Sequence, residues 1–130
     1  MRWISPPLTG ASDEAATWAA ETLAEAGLDG PALYVATPDA GSREALAFWA
    51  VAQETGLAFA PPAAFPWTLA NSPTGRISHR LAITGPCWTF VGGDEAWDEA
   101  LLAAEVHPGL CVRMHWVGDR LHLEAVGARA

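Results

Sequence analysis

Among the residues whose side chains could take part in catalysis or binding, Asp94 lies in the most distinctive sequence context. It follows the glycine pair Gly92-Gly93 and begins a segment with helical periodicity, residues 94–105. A carboxylate at this point can cap the helix and interact favourably with the positive end of its dipole. It can also act as a general base. The residue pattern favours the cap.

The predicted helix at 94–105 has two unlike faces. Its apolar stripe is Trp97, Ala100, Leu101 and Ala104, and its acidic face is Asp94, Glu95, Asp98, Glu99 and Glu105. Burying those carboxylates without partners would cost several kcal/mol each. We therefore expect the acidic face to be open to water or to meet a basic partner.

Histidines and cysteines are the other candidates for chemistry. His115 and His122 flank a predicted hairpin, and two imidazoles on its polar face could bind a metal ion. Nothing supplies a third ligand, so we expect exposed polar residues there, with no metal site and no cofactor. Cys87 could act as a nucleophile. A simpler interpretation is that Cys87 and Cys111 are both buried thiols of a protein in a reducing compartment.

The order of predicted elements is that of an α/β layered domain. Residues 32–37 form a continuous apolar run, as a buried parallel strand does. Helices are predicted at 12–27 and 42–55, and a second buried strand at Cys87–Val91 precedes the helix at 94–105. Strand followed by helix, repeated, predicts one α/β domain over residues 1–130.

Both ends of the chain add strands to this sheet. Apolar residues alternate with polar ones from 110 to 125 around Gly118-Asp119, which predicts a C-terminal β-hairpin with one wet face. Trp3 begins a short edge strand that runs into Pro6-Pro7. The sheet is therefore expected to be mixed, with flanking helices.

The amino-acid composition argues against some classes of binding partner. The net charge is −8 and all seven basic side chains are arginines, which argues against nucleic acid or an anionic membrane as a partner. The N-terminal segment lacks the apolar run of a signal peptide, and no segment approaches the length of a membrane span. We expect a cytoplasmic protein. Most of its seven tryptophans fall on predicted inward stripes and are expected in the core.

The stretch Ile77-Ser78-His79-Arg80-Leu81, the corner Gly85-Pro86, the strand after it and Ala100-Leu101 in the helix resemble the nucleophile region of the β-ketoacyl synthases of fatty-acid and polyketide assembly. The resemblance extends back to about Phe65 and more loosely over most of the chain. It implies an α/β domain like the N-terminal half of a thiolase-like fold. Asp94 occupies the position of the family's catalytic cysteine.

This departure shapes the expected function. A carboxylate is a poor acyl acceptor, and the resemblance implies that the family's two further histidines belong to a C-terminal half, which we expect this chain not to include. We expect a non-catalytic β-ketoacyl synthase-like protein of fatty-acid or polyketide-type biosynthesis, similar to chain-length-factor subunits. Its expected partners are a condensing enzyme or a second copy, and an acyl carrier protein.

Family dimers form through the strand after the Gly-Pro corner, so the resemblance implies an interface at Cys87, Trp88, Thr89, Phe90 and Val91. Two alternatives stay open. One is a residual acyltransferase or decarboxylase in which Asp94 or His79 acts on an acyl thioester. The other is a small-ligand or regulatory binding module unrelated to acyl chemistry. The basic cluster from Arg76 to Arg80 suits either a contact surface or a solvated helix face with ordinary salt bridges.

Overall fold

A computed structural model describes residues 1–8, 14–39, 42–56, 58, 69 and 71–127. Its helices are α1 (Glu14–Glu25), α2 (Ser42–Thr55), α3 (Ser72–Arg80) and α4 (Asp94–Val106), and its strands are β1 (Arg2–Ile4), β2 (Leu33–Thr37), β3 (Cys87–Val91), β4 (Leu110–Val117) and β5 (Arg120–Val126). The start of the helix predicted from residue 12 lies outside the described residues, as does the stretch around Phe65 and Trp67.

The strands form one mixed sheet in the order β1-β5-β4-β2-β3. Strand β2 runs parallel to both β3 and β4, while β5 is antiparallel to β4 and β1. All five residues of β2 are buried, as its unbroken apolar run predicts for a strand covered on both faces. The expected fold class is confirmed: a single α/β domain with a mixed sheet, flanking helices and a C-terminal hairpin.

Two cores lie on opposite faces of the sheet. On one face, Leu23 of α1 and Ile77 of α3 pack with Leu33 and Val112. On the other face, α4 lies against Tyr34, Ala36 and Cys111. It does so through Ala96 and Ala100, small side chains that let the helix approach the strands closely. Of the described helices, none has the length and apolar character that crossing a membrane requires.

The hairpin follows its predicted alternation. Gly118 has φ +62° at the first position of a two-residue turn, where glycine is favoured, and Val117 pairs with Arg120 across it. The inward residues are Leu110, Val112, Met114, Leu121, Leu123 and Ala125, all buried. Cys111 is also buried, although it points to the polar face, because α4 covers that part of the sheet.

The Gly85-Pro86 corner sets the start of β3. A Cβ at Gly85 would lie 1.8 Å from the carbonyl oxygen of Pro31, so only glycine allows the two backbones to pass this closely. The Pro86 carbonyl then accepts a hydrogen bond from the Leu33 amide at 2.9 Å. The corner thereby aligns β3 with β2.

One expectation about burial is wrong, and a second is met in part. Strand β3 is an edge strand, so Cys87 is exposed and Trp88 keeps 60% of its surface accessible. Of the six described tryptophans, Trp3, Trp18, Trp97 and Trp116 are partly buried against the two cores, whereas Trp49 on α2 and Trp88 are exposed. An apolar run predicts a strand, but only tertiary pairing decides whether that strand lies inside a sheet or at its edge.

Candidate functional site

The bend between β3 and α4 lies at the carboxyl ends of the parallel strands, where open α/β sheets commonly place their binding sites. The Gly92 amide donates to the Thr37 carbonyl at 3.1 Å and so ties the bend to β2. Gly92 has φ +154°, and a Cβ there would lie 2.6 Å from Glu95 Oε1. Glycine is therefore required at this position.

Asp94 is the first residue of α4 and not its cap, which corrects the expectation from sequence. The N-cap is Gly93, and the Glu95 carboxylate accepts a hydrogen bond from the Gly93 amide at 3.0 Å. Asp94 Oδ1 instead accepts one from Arg113 Nη2 of β4 at 2.5 Å. Its side chain is 90% exposed, against 26% for Arg113. The sequence could not indicate this partner, because β3 and β4 are separated by β2.

This geometry supplies charge at the bend and no reactive thiol. The carboxylate of Asp94 is solvated and ion-paired, whereas a nucleophile or general base is activated by burial or by an adjacent base. The nearby thiol of Cys111 is buried and donates to the Ala100 carbonyl at 3.4 Å. Burial raises the pKa of Cys111, which is the opposite of thiol activation.

The acidic face of α4 is open to solvent as expected. Asp98, Glu99 and Glu105 are exposed, while Ala100 is buried. The other members of the predicted stripe, Trp97, Leu101 and Ala104, are partly buried against the core. The prediction missed Ala96, which is the second buried contact of the helix.

The outer edge of β3 presents backbone groups that pair with no other strand of the described chain. The Pro86 carbonyl and the Gly92 amide both bond to β2. Because a strand alternates with period two, the backbone groups of Cys87, Thr89 and Val91 point away from β2. We call this row the β3 edge.

Side chains at the β3 edge are uncharged and largely apolar. Trp88 is 60% exposed and Val91 is 62% exposed. The strand is held from behind by α3, since Thr89 Oγ1 and Thr74 Oγ1 share a hydrogen bond of 2.7 Å. The β3 edge is therefore a fixed, accessible surface.

The opposite edge of the sheet is guarded. Strand β1 has three residues, and its Arg2 lies 3.4 Å from Glu124 of β5. Pro6 and Pro7 follow it after one residue, Ser5. Short length, charge and proline are the devices by which proteins prevent edge-to-edge pairing. The β3 edge carries none of them along Cys87–Val91.

The basic cluster of α3 is used inside the chain. Arg80 Nε donates to Glu21 Oε1 of α1 at 2.7 Å, and Arg76 Nη1 donates to Thr17 Oγ1 at 2.6 Å. The hydrogen bond from Arg80 lowers the pKa of Glu21. These contacts favour the salt-bridge interpretation over a contact surface, and His79 is left exposed nearby.

Two histidines meet on the hairpin face that α4 leaves uncovered. His115 and His122 have ring centroids 5.2 Å apart. They line a groove of about 380 Å³ whose described walls include Arg2, Ile4, Arg113 and Glu124. We call this the histidine groove. Burial lowers the pKa of His115 from its ordinary 6.5, and nearby His122 and Arg113 lower it further, against the opposing effect of Asp39 and Glu124.

From the sequence, the two histidines could lie together on the polar face of the hairpin, but the groove around them was missed. Its far wall is β1, and β1 reaches the hairpin only through pairing with β5. Strand β1 has three residues, so the alternation of Arg2 and Ile4 was too short to predict that these residues lie beside Glu124 and His122.

No family model matches the chain, and no curated protein matches it significantly. Among solved structures, it is similar to a chain of the ketosynthase (ApeO) in complex with its chain length factor (ApeC) from Xenorhabdus doucetiae, with 12% sequence identity and a TM-score of 0.61. The match covers 95% of this chain and 59% of that chain, so this chain spans about three fifths of its structural neighbour. The two chains share their fold.

Proposed function

We propose that this chain is a non-catalytic β-ketoacyl synthase-like protein of fatty-acid or polyketide-type biosynthesis and that it pairs with a condensing enzyme through the β3 edge. In this proposal residues 1–130 form a β-ketoacyl synthase-like N-terminal domain. The observation that carries it is the unguarded edge strand, with its free backbone row and its exposed Trp88.

The β3 edge has the components of a specific strand-addition interface. Cys87, Thr89 and Val91 each direct an amide and a carbonyl outward, and each hydrogen bond made there contributes about 0.5–1.5 kcal/mol net. Trp88 supplies a large apolar anchor of the kind that dominates binding energy at interfaces. Backbone pairing and the Trp88 anchor both contribute to the affinity, and the side chains also determine the choice of partner.

Support for the kind of partner comes from the structural neighbour, which is a ketosynthase in complex with its chain length factor. The proposal carries such pairing over to this chain. An acyl carrier protein is a further partner, brought by the condensing enzyme.

The non-catalytic part of the proposal is supported at the bend. Asp94 is exposed and paired with Arg113, and it has no thiol on which an acyl thioester could form. Acyl transfer to its carboxylate would give an anhydride, which water hydrolyses readily. Purified protein incubated with a malonyl or acetyl thioester is expected to show no acyl transfer and no decarboxylation above background. Turnover that disappears in Asp94→Asn or His79→Ala would overturn this part and favour a residual enzyme.

A charged substitution at the β3 edge tests the proposed binding to a condensing enzyme. Each condensing enzyme of the source organism is titrated with the wild-type chain, with Trp88→Lys and with Ile4→Lys. Ile4 is the matched control, because it is 59% exposed and lies on the opposite edge strand. We expect Trp88→Lys to abolish the complex and Ile4→Lys to keep it. Equal affinities, or no complex with any condensing enzyme, would refute the proposal.

A second copy is the competing occupant of the β3 edge. Sedimentation of the chain alone over a range of concentrations separates the two cases. A self-dimer that Trp88→Lys dissociates, and that no condensing enzyme displaces, assigns the edge to a homodimer instead.

A further inference from the structure

His115 and His122 face each other because of the hairpin register. They are cross-strand partners of β4 and β5, so their side chains project from the same side of the sheet. Their ring centroids lie 5.2 Å apart with planes inclined by 44°. The hairpin register therefore brings the two imidazoles together.

That separation suits two rings bound to one ion. With metal–nitrogen bonds of about 2.0 Å and tetrahedral angles, two imidazoles on a zinc ion have their centroids about 5 Å apart. The last side-chain torsion of histidine is broad, so each ring can turn a nitrogen toward a common point at little cost. No movement of the strands is needed.

The charges around the pair do not exclude a cation. The neighbouring elements contribute two guanidiniums, Arg2 and Arg113, and each is paired with a carboxylate, Glu124 and Asp94 respectively. Asp39, after β2, also acts on His115 and is held by the Trp116 amide at 3.1 Å. The surroundings therefore carry three carboxylates against two guanidiniums.

We propose that His115 and His122 form a two-histidine site for a divalent cation of the zinc, nickel or copper class, which favour imidazole ligands, at the histidine groove. Nowhere in the described ranges do three or more potential ligands lie together, so the remaining coordination positions go to water or to a donor atom of a molecule in the groove. The proposal revises the expectation of no metal site. It is independent of the proposed function.

Calorimetric titration tests the site on tag-free protein with Zn²⁺ and Ni²⁺ at about pH 7.5, where unbound imidazole is neutral. We expect saturable binding of a single ion to the wild type and to His79→Ala. His79 is the control because it is exposed on α3, away from the pair. Binding to His115→Ala and to His122→Ala is expected to weaken about tenfold or more.

A measurement on the unaltered protein guards against misfolded variants. Substoichiometric Ni²⁺ is expected to broaden the ring signals of His115 and His122 in NMR spectra before those of His79 and His107. Equal broadening of all four histidines, no saturable binding of either ion, or wild-type affinity in His115→Ala would overturn the proposal.

Discussion

The substitution Gly85→Ala tests how β3 is placed beside β2. The added Cβ would lie 1.8 Å from the Pro31 oxygen, where an ordinary contact is at least 3.4 Å. The Pro31 oxygen is a backbone atom and the position of the Cβ is fixed by the backbone of residue 85, so the corner must move and cannot relax by a side-chain rotation. Overpacking of this kind costs about 1–3 kcal/mol, which for a domain of this size lowers the melting temperature by roughly 4–10 °C.

Gly75→Ala is the matched control. Gly75 lies inside α3, and a Cβ there meets no atom within 4 Å. Alanine in a helix interior is favoured over glycine by about 0.5–1 kcal/mol. Unfolding over a range of urea concentrations, monitored by circular dichroism, gives the free energy of unfolding of each variant. If Gly85→Ala is as stable as the wild type, the close backbone approach is not a real feature of the corner.

Three further predictions concern groups whose burial differs. Cys87 is exposed, and Cys111 is buried with a raised pKa. A thiol reagent is therefore expected to modify Cys87 rapidly and Cys111 only after unfolding. Equal rates of modification at the two cysteines would contradict this. The pKa of His115 is lowered from 6.5 in the folded state. The neutral imidazole therefore makes its full contribution to the free energy of unfolding above about pH 6.5, and this contribution is lost as the pH falls. His115→Gln should therefore flatten the pH dependence of the free energy of unfolding, and an unchanged profile would count against the assigned environment. Leu23 is fully buried between α1 and the sheet, so Leu23→Ala is expected to cost about 2–5 kcal/mol in urea unfolding, and a loss below 1 kcal/mol would argue against that packing.

Local patterns predicted the elements whose residues determine their own environment. Strand β2 reads as an unbroken apolar run and is buried on both faces, and the hairpin alternates around Gly118. The predicted helix at 94–105 matches α4 to within one residue at its end. In each case the periodicity of side chains and the burial agree.

Features that depend on remote pairing could not be predicted. Strand β3 has the composition of a buried strand, and its exposure follows from its place at the end of the sheet order. Helix α3 is one such feature, because Gly75 inside it lowers its intrinsic helix propensity, while Pro73 lies in the first turn, where proline is tolerated. Its nine residues are stabilised mainly by packing, since Ile77 is buried in the core with Leu23 of α1, and the exposed ion pair between Arg80 and Glu21 adds little.

The same distinction holds at the candidate site. Asp94 was placed at the start of α4 from the glycine pair and the helical periodicity that follows it, while its partner Arg113 comes from a strand beyond β2. The expected interface at Cys87–Val91 came from resemblance, and its position as an unguarded edge came only with the sheet order.

Amide hydrogen exchange of β3 tests the central claim most directly, because adjacent residues of this strand point their backbone groups in opposite directions. In the free chain the Thr89 amide is expected to exchange quickly, and the Phe90 amide, directed at β2, slowly. On addition of the condensing enzyme the account predicts strong protection of Thr89 with little change at Phe90. A complex that forms while Thr89 continues to exchange at its free rate would contradict docking through the β3 edge.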